Sequence, residues 1–170
     1  DSHLALPVIS KTLQQLQELE LLPFKAAIAK GIPSITIAHI LFPALEAANV
    51  PATMSRAIVT GLLREQLGFG GLIISDCMEM NAIKETVGVA KGTVEAVKAG
   101  IDLVFISHTP AEVIGAVEAL QQAVQSGEIP MARIDEAVGR ILACKARYLR
   151  AQAPLAAAAK AEMQAFAEQL

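Results

Sequence analysis

Hydrophobic positions along the chain fall into two patterns: stripes at helical spacing and short unbroken apolar runs. Leu13, Leu16 and Leu19 recur every three residues, which predicts a helix over 10–20. Pro23 opens a second helical stretch through Phe24, Ala27 and Ile28, with Gly31 as its stop signal. Residues 33–40 (PSITIAHI) are short, apolar and β-branched, and read as a buried strand. Ser55 can cap a helix that sets Ile58, Leu62 and Leu67 on or near one face, ended by Gly68. Residues 72–75 (LIIS) give the second strand. A helix over 89–99 stopped by Gly100 follows, and then a third strand over 102–107 (DLVFIS). Thr109 and Glu112 have the spacing of a capping box, with Pro110 at the first helical position, for a helix running to about Gln125 and stopped by Gly127. Ile134, Val138, Ile141, Leu142 and Leu149 form the stripe of a last amphipathic helix.

Strand and helix thus alternate, and the apolar strands call for cover on both faces. That combination predicts a parallel sheet of right-handed βα units. The strands recur about every 35 residues, which suits a doubly wound sheet or a (β/α)₈ barrel. A closed barrel takes about 250 residues. Three strands cannot close one, so a barrel reading makes this chain the C-terminal part of it.

Composition narrows the picture. The chain has 170 residues, 54% hydrophobic and 18% charged, which excludes disorder. Its formal charge of −3 argues against nucleic acid or an anionic membrane as main partner. Mean hydropathy is high at +0.47. The longest uncharged stretch, between Lys30 and Glu46, contains Pro33, His39 and Pro43 and is too short to span a bilayer as a helix. Cys77 and Cys144 are too few for a disulfide framework or a zinc site. The chain opens on Asp1 without a leader pattern and turns Ala-rich after Tyr148. This divides it into 1–150, the barrel portion, and 151–170, a linker leading to a further helix or domain.

Reactive groups in parallel α/β folds lie past the C-terminal strand ends. Here those ends carry His39, Ser75-Asp76 and Ser107-His108. Asp76 directly follows an apolar run, where a carboxylate must be hydrogen-bonded or used, as a turn cap or in catalysis. His39 and His108 read first as structural histidines, and their spacing with Asp76 does not support a metal site. Gly68, Gly70 and Gly71 precede a strand instead of following one, so they make no dinucleotide fingerprint. Cys77 reads as a small buried side chain, and Glu79 as a solvated or loop-contacting carboxylate. Asp1 and His3 form an Asp-x-His step in which the carboxylate can fix the imidazole tautomer.

The segments DSHLALPVI, ELLPFKAAI, PSITIAHILFPAL, PATMSRAIVTGLLREQLGFGGLIISDCMEM, AGIDLVFISH and RIDEAVGRIL resemble glycoside hydrolase family 3. The likeness is to its bacterial β-N-acetylglucosaminidase (β-N-acetylhexosaminidase) branch and runs from Asp1 to about Leu149. It implies a (β/α)₈-type barrel, no cofactor and no metal. It implies Asp76 as catalytic nucleophile and an acid/base dyad of His3 and Asp1, with His39 and Met80 as candidates for sugar binding. The implied reaction is retaining hydrolysis of terminal β-linked N-acetylglucosamine, from cell-wall muropeptides or chitin-derived sugars. A histidine acid/base keeps phosphorolysis open as an alternative. The first five strands, with most sugar-binding groups, are expected on a missing N-terminal half. Without it the chain is expected to be inactive, or to serve only as an association module. Gly70 and Cys77 stand where the family often has acidic residues.

Overall fold

β2, Leu72–Cys77, is the centre of a three-stranded parallel sheet, flanked by β1, Ser34–Ile37, and β3, Leu103–Phe105, in the order β1-β2-β3. The computed structural model describes residues 6–149. β1 pairs with β2 from Ser34↔Leu72 to Ile37↔Ser75. Leu72, Ile73 and Ser75 of β2 are buried, whereas Thr36 of β1 and Phe105 of β3 are exposed. Cover is closest on the central strand β2, whereas β1 and β3, each with a single neighbour among the described residues, keep exposed positions.

The helices follow the sequence pattern with local differences. α1, Leu13–Glu18, is shorter than its stripe, and Thr12 and Gln15 form a reciprocal capping box at its start. Leu16 is buried but Leu19 lies beyond the helix and is exposed. α2, Leu21–Ala29, ends before Gly31. A short 3₁₀ turn, Ala52–Met54, was not anticipated and is wholly buried. Ser55 does cap the next helix, accepting the Ile58 N–H at 3.2 Å. That helix, Ala57–Gln66, is wound as a π-helix and buries Ile58, Val59, Leu62 and Leu63. The Ile58–Leu62–Leu67 spacing of four and then five residues suits this wider winding, which closes with Leu67 N–H on the Leu62 carbonyl at 2.9 Å.

α3, Asn81–Lys84, is a single turn after β2. α4, Val89–Ala99, matches the predicted helix and is capped by Gly100 at φ +119°. It packs so closely on the segment after β2 that a Cβ at Gly92 would stand 2.8 Å from Ile83 and 3.0 Å from Met78. α5, Pro110–Gln125, and α6, Met131–Tyr148, complete the described chain. Thr109 makes no side-chain cap for α5; the Glu112 N–H instead meets the Thr109 carbonyl at 3.0 Å. On α6 only part of the expected stripe is covered: Ile134 and Ile141 are half-buried, while Val138, Leu142 and Leu149 are 45%, 58% and 57% exposed.

The main core gathers Ile35, Met54, Val59, Ile73, Met78, Ile83 and Ile101 between sheet and helices. Beneath it, at the N-terminal end of β3, Asp102 has no exposed side-chain surface. Its carboxylate accepts from Arg64, from Arg133 and Arg140 at 3.0 Å each, and from the Ile73 N–H at 3.0 Å. This knot ties the π-helix and α6 to the strand starts, at the sheet end opposite the rim groups.

Candidate active site

The rim is built where β2 leaves the sheet. Ile74 pairs with Leu103 and Cys77 with Phe105, so three steps along β2 match two along β3. The extra residue makes a bulge, a device that re-aims side chains beside functional sites. Ser75 repairs the ladder: its buried hydroxyl accepts the Phe105 N–H at 3.0 Å. Asp76 follows on the bulge, half-buried, with Oδ1 accepting the Cys77 N–H at 2.8 Å. Its other oxygen, Oδ2, accepts no hydrogen bond among the described residues.

Two contacts hold the turn that carries Asp76. On the β1 side, His39 is fully buried. Its Nε2 lies 3.0 Å from the Cys77 carbonyl and its Nδ1 2.7 Å from the Thr53 hydroxyl. Burial pushes the imidazole pKa down, against opposing effects from the Cys77 hydrogen bond and the Asp76 charge. His39 reads in the sequence first as a structural histidine and, from the resemblance, as a candidate sugar contact; the structure buries it with both ring nitrogens engaged, in line with the structural reading. On the β3 side, Glu79 accepts the N–H groups of Ser107 (2.9 Å), His108 (2.6 Å) and Thr109 (2.9 Å). The Thr109 side chain and these backbone donors hold its carboxyl below the usual range, with desolvation opposing. Of the two readings open for Glu79, the loop contact is the one observed.

Met80 is half-buried and caps the start of α3, its N–H on the Cys77 carbonyl at 3.1 Å. His108 is exposed on the loop that Glu79 grips. Cys77 is not the buried side chain expected: it is half-exposed, with Sγ 3.1 Å from the Ser107 hydroxyl. Asp1 and His3 lie outside the described residues, as do 151–170. No group of three or more His, Cys, Asp or Glu able to hold a metal occurs among the described residues. No described helix is long and apolar enough to cross a membrane. The sequence reading missed Thr53 and the bulge. A lone Thr among Pro51, Ala52 and Met54 was the available signal for the first; nothing local signals the second.

Parallel βα units with polar side chains gathered past the central strand have the build of an α/β enzyme segment. Comparison with known proteins defines which one. The chain belongs to glycoside hydrolase family 3, whose "Glycosyl hydrolase family 3 N terminal domain" matches residues 1–144. Its sheet and flanking helices are a portion of that family's TIM-type barrel, as the sequence predicted. The chain is 31% identical over 155 residues to a β-N-acetylglucosaminidase/β-glucosidase of Cellulomonas fimi, covering 86% of this chain and 27% of that protein. It is 29% identical over 175 residues to β-hexosaminidase A of Pseudoalteromonas piscicida, covering 93% and 29%. Among solved structures, it resembles a family 3 β-N-acetylglucosaminidase from Paenibacillus sp. str. FPU-7, with TM-score 0.87, 46% identity and coverage of 92% and 30%. It also resembles a β-glucoside phosphorylase, with TM-score 0.78, 26% identity and coverage of 86% and 27%. The chain spans less than a third of the length of each of these proteins.

Proposed function

We propose that the protein containing this chain removes terminal β-linked N-acetylglucosamine with retention, using Asp76 as nucleophile. The observation that supports this is the placement of Asp76 on the bulge at the C-terminal end of β2. One oxygen is fixed by the Cys77 N–H and the other is unengaged by any described residue. A carboxylate held by one oxygen keeps a lone pair of the other for the anomeric carbon. Attack there expels the leaving-group oxygen and forms a glycosyl-enzyme ester, which water then hydrolyses.

In this reading His3 protonates the departing oxygen and afterwards takes a proton from the attacking water. Asp1 orients His3 and stabilises its imidazolium. Muropeptides and chitin-derived sugars are the substrate candidates, and strands outside this chain supply most of the sugar contacts. Asp76→Asn in the full-length protein is expected to abolish turnover and trapping by a fluorinated N-acetylglucosaminide. Trapping at another carboxylate in that variant overturns the assignment.

Likeness to a β-glucoside phosphorylase favours a second reading of the same site. A neutral imidazole repels an incoming phosphate less than a carboxylate would. Formation of a sugar 1-phosphate in phosphate buffer, at a rate matching or exceeding hydrolysis, selects phosphorolysis; free sugar alone selects hydrolysis.

A further inference from the structure

We propose that His39, oriented by Thr53, is a positioning residue for Asp76, acting through the Cys77 peptide. This rests on the reading of Asp76 as nucleophile. A carbonyl can only accept, so the 3.0 Å contact between His39 Nε2 and the Cys77 oxygen puts the ring proton on Nε2. In the neutral imidazole Nδ1 is then an acceptor, so the single Thr53 hydroxyl proton goes to it at 2.7 Å and not to the Ala38 carbonyl, the longer contact at 3.3 Å. Thr53 belongs to the buried 3₁₀ turn and has no exposed surface, so its hydroxyl is held in place. Burial, which lowers the basicity of His39, agrees with the neutral tautomer.

Cys77 is the link. Its N–H donates to Asp76 Oδ1 at 2.8 Å, while its carbonyl takes His39 from a loop 38 residues earlier. One residue thus connects the carboxylate to the segment after β1. The carbonyl belongs to the Cys77–Met78 peptide, whose N–H meets the Phe105 carbonyl at 2.9 Å, so just past the bulge β3 holds one side of this peptide and His39 the other. The Met80 N–H also reaches the Cys77 carbonyl, at 3.1 Å, but it comes from the same turn and moves with it. His39 is the side-chain anchor of that peptide to another strand's loop.

The test uses the full-length protein and an aryl N-acetylglucosaminide. His39→Leu, His39→Gln, Thr53→Val and Thr53→Ser are compared in kcat, in KM, and in the rate of trapping by a fluorinated N-acetylglucosaminide. Rates are expressed per active site, counted by the trapping endpoint. A displacement of about 1 Å costs on the order of 10²-fold in rate. His39→Leu is therefore expected to lower kcat by about 10- to 100-fold, with trapping slowed by the same factor and KM nearly unchanged. His39→Gln, which extends an N–H toward the same carbonyl, is expected to recover most of that loss. Thr53→Val is expected to slow the enzyme by a smaller factor, which Thr53→Ser reverses.

Unchanged kcat per site in both His39→Leu and Thr53→Val overturns the proposal. So does a loss in KM alone, or a His39→Gln variant as slow as His39→Leu. Should His39→Leu fail to fold, the Thr53 pair decides alone: a Val loss that Ser does not reverse counts against the proposal. Trapping of Asp76→Asn at a different carboxylate sinks the nucleophile reading itself. Trapping at Asp76 with full-speed His39 and Thr53 variants sinks only the role given to His39.

Discussion

Replacing Asp102 by Asn changes one oxygen to an amide with almost no change in volume. The site it disturbs is unusually demanding. Three guanidinium groups and the Ile73 N–H converge on two carboxylate oxygens that have no exposed surface. Arg64 and Arg133 are themselves only 11% and 12% exposed at the side chain, so water cannot take over as their partner. In Asp102→Asn the amide nitrogen must face at least one of these donors, and the balancing charge is gone. Breaking a buried pair on one side costs about 3–5 kcal/mol. For a domain of about 150–250 residues each kcal/mol lowers Tm by about 2–4 °C, so the expected fall is about 6–20 °C.

The control is Glu136→Gln. Glu136 bridges Arg133 and Arg140 in the same network but is 51% exposed, and exposed pairs contribute about 0–1 kcal/mol. The assay is thermal unfolding of the full-length protein, following the transition of the barrel domain. If Asp102→Asn unfolds within 2 °C of the parent, or falls no further than Glu136→Gln, then burial is not what makes this knot matter and the reasoning fails.

Further expectations concern Glu79 and His3. Glu79→Gln turns one of two accepting oxygens into a donor, leaving at least one N–H of Ser107, His108 or Thr109 without its partner. Hydrogen exchange in that loop should quicken at neutral pH; unchanged protection would show that Glu79 does not hold it. Because Glu79 titrates below its ordinary value of 4.5 when folded, its clamp is complete above that pH and is lost only as pH falls through the lower folded value. Loop protection in the parent should therefore persist from neutral pH down to about 4.5, and a loss well above it contradicts the assignment. His3→Ala should slow natural sugars more than activated aryl glycosides, whose leaving groups need no proton. Equal losses for both substrates remove His3 from the acid role.

What the sequence determined by itself was set by local pattern. Short β-branched apolar runs bounded by Gly and Pro read as strands, so PSITIAHI and GGLIISD placed β1 and β2 with no tertiary information. Glycine stops fixed the helix ends just before 31, 68, 100 and 127, because each of these glycines takes a positive φ that other residues resist. The parallel order followed from alternation of strand and helix; the apolar run marked Asp76 as a carboxylate at a strand end, and only the family resemblance pointed to it as nucleophile.

Tertiary structure decided everything that depends on two segments meeting. The π winding of Ala57–Gln66 leaves only an ambiguous mark on spacing, and the expected capping box fails at both ends: the Thr109 side chain makes no cap, and its N–H goes to Glu79 instead of Glu112. The bulge at Ile74–Cys77 exists only in the register of β2 against β3. His39, open in the sequence between a structural histidine and a rim contact, is set as the buried one for the same reason. A strand-end histidine looks alike in sequence whether it faces solvent or a carbonyl 38 residues on, and only the packed loop around Thr53 chooses between them.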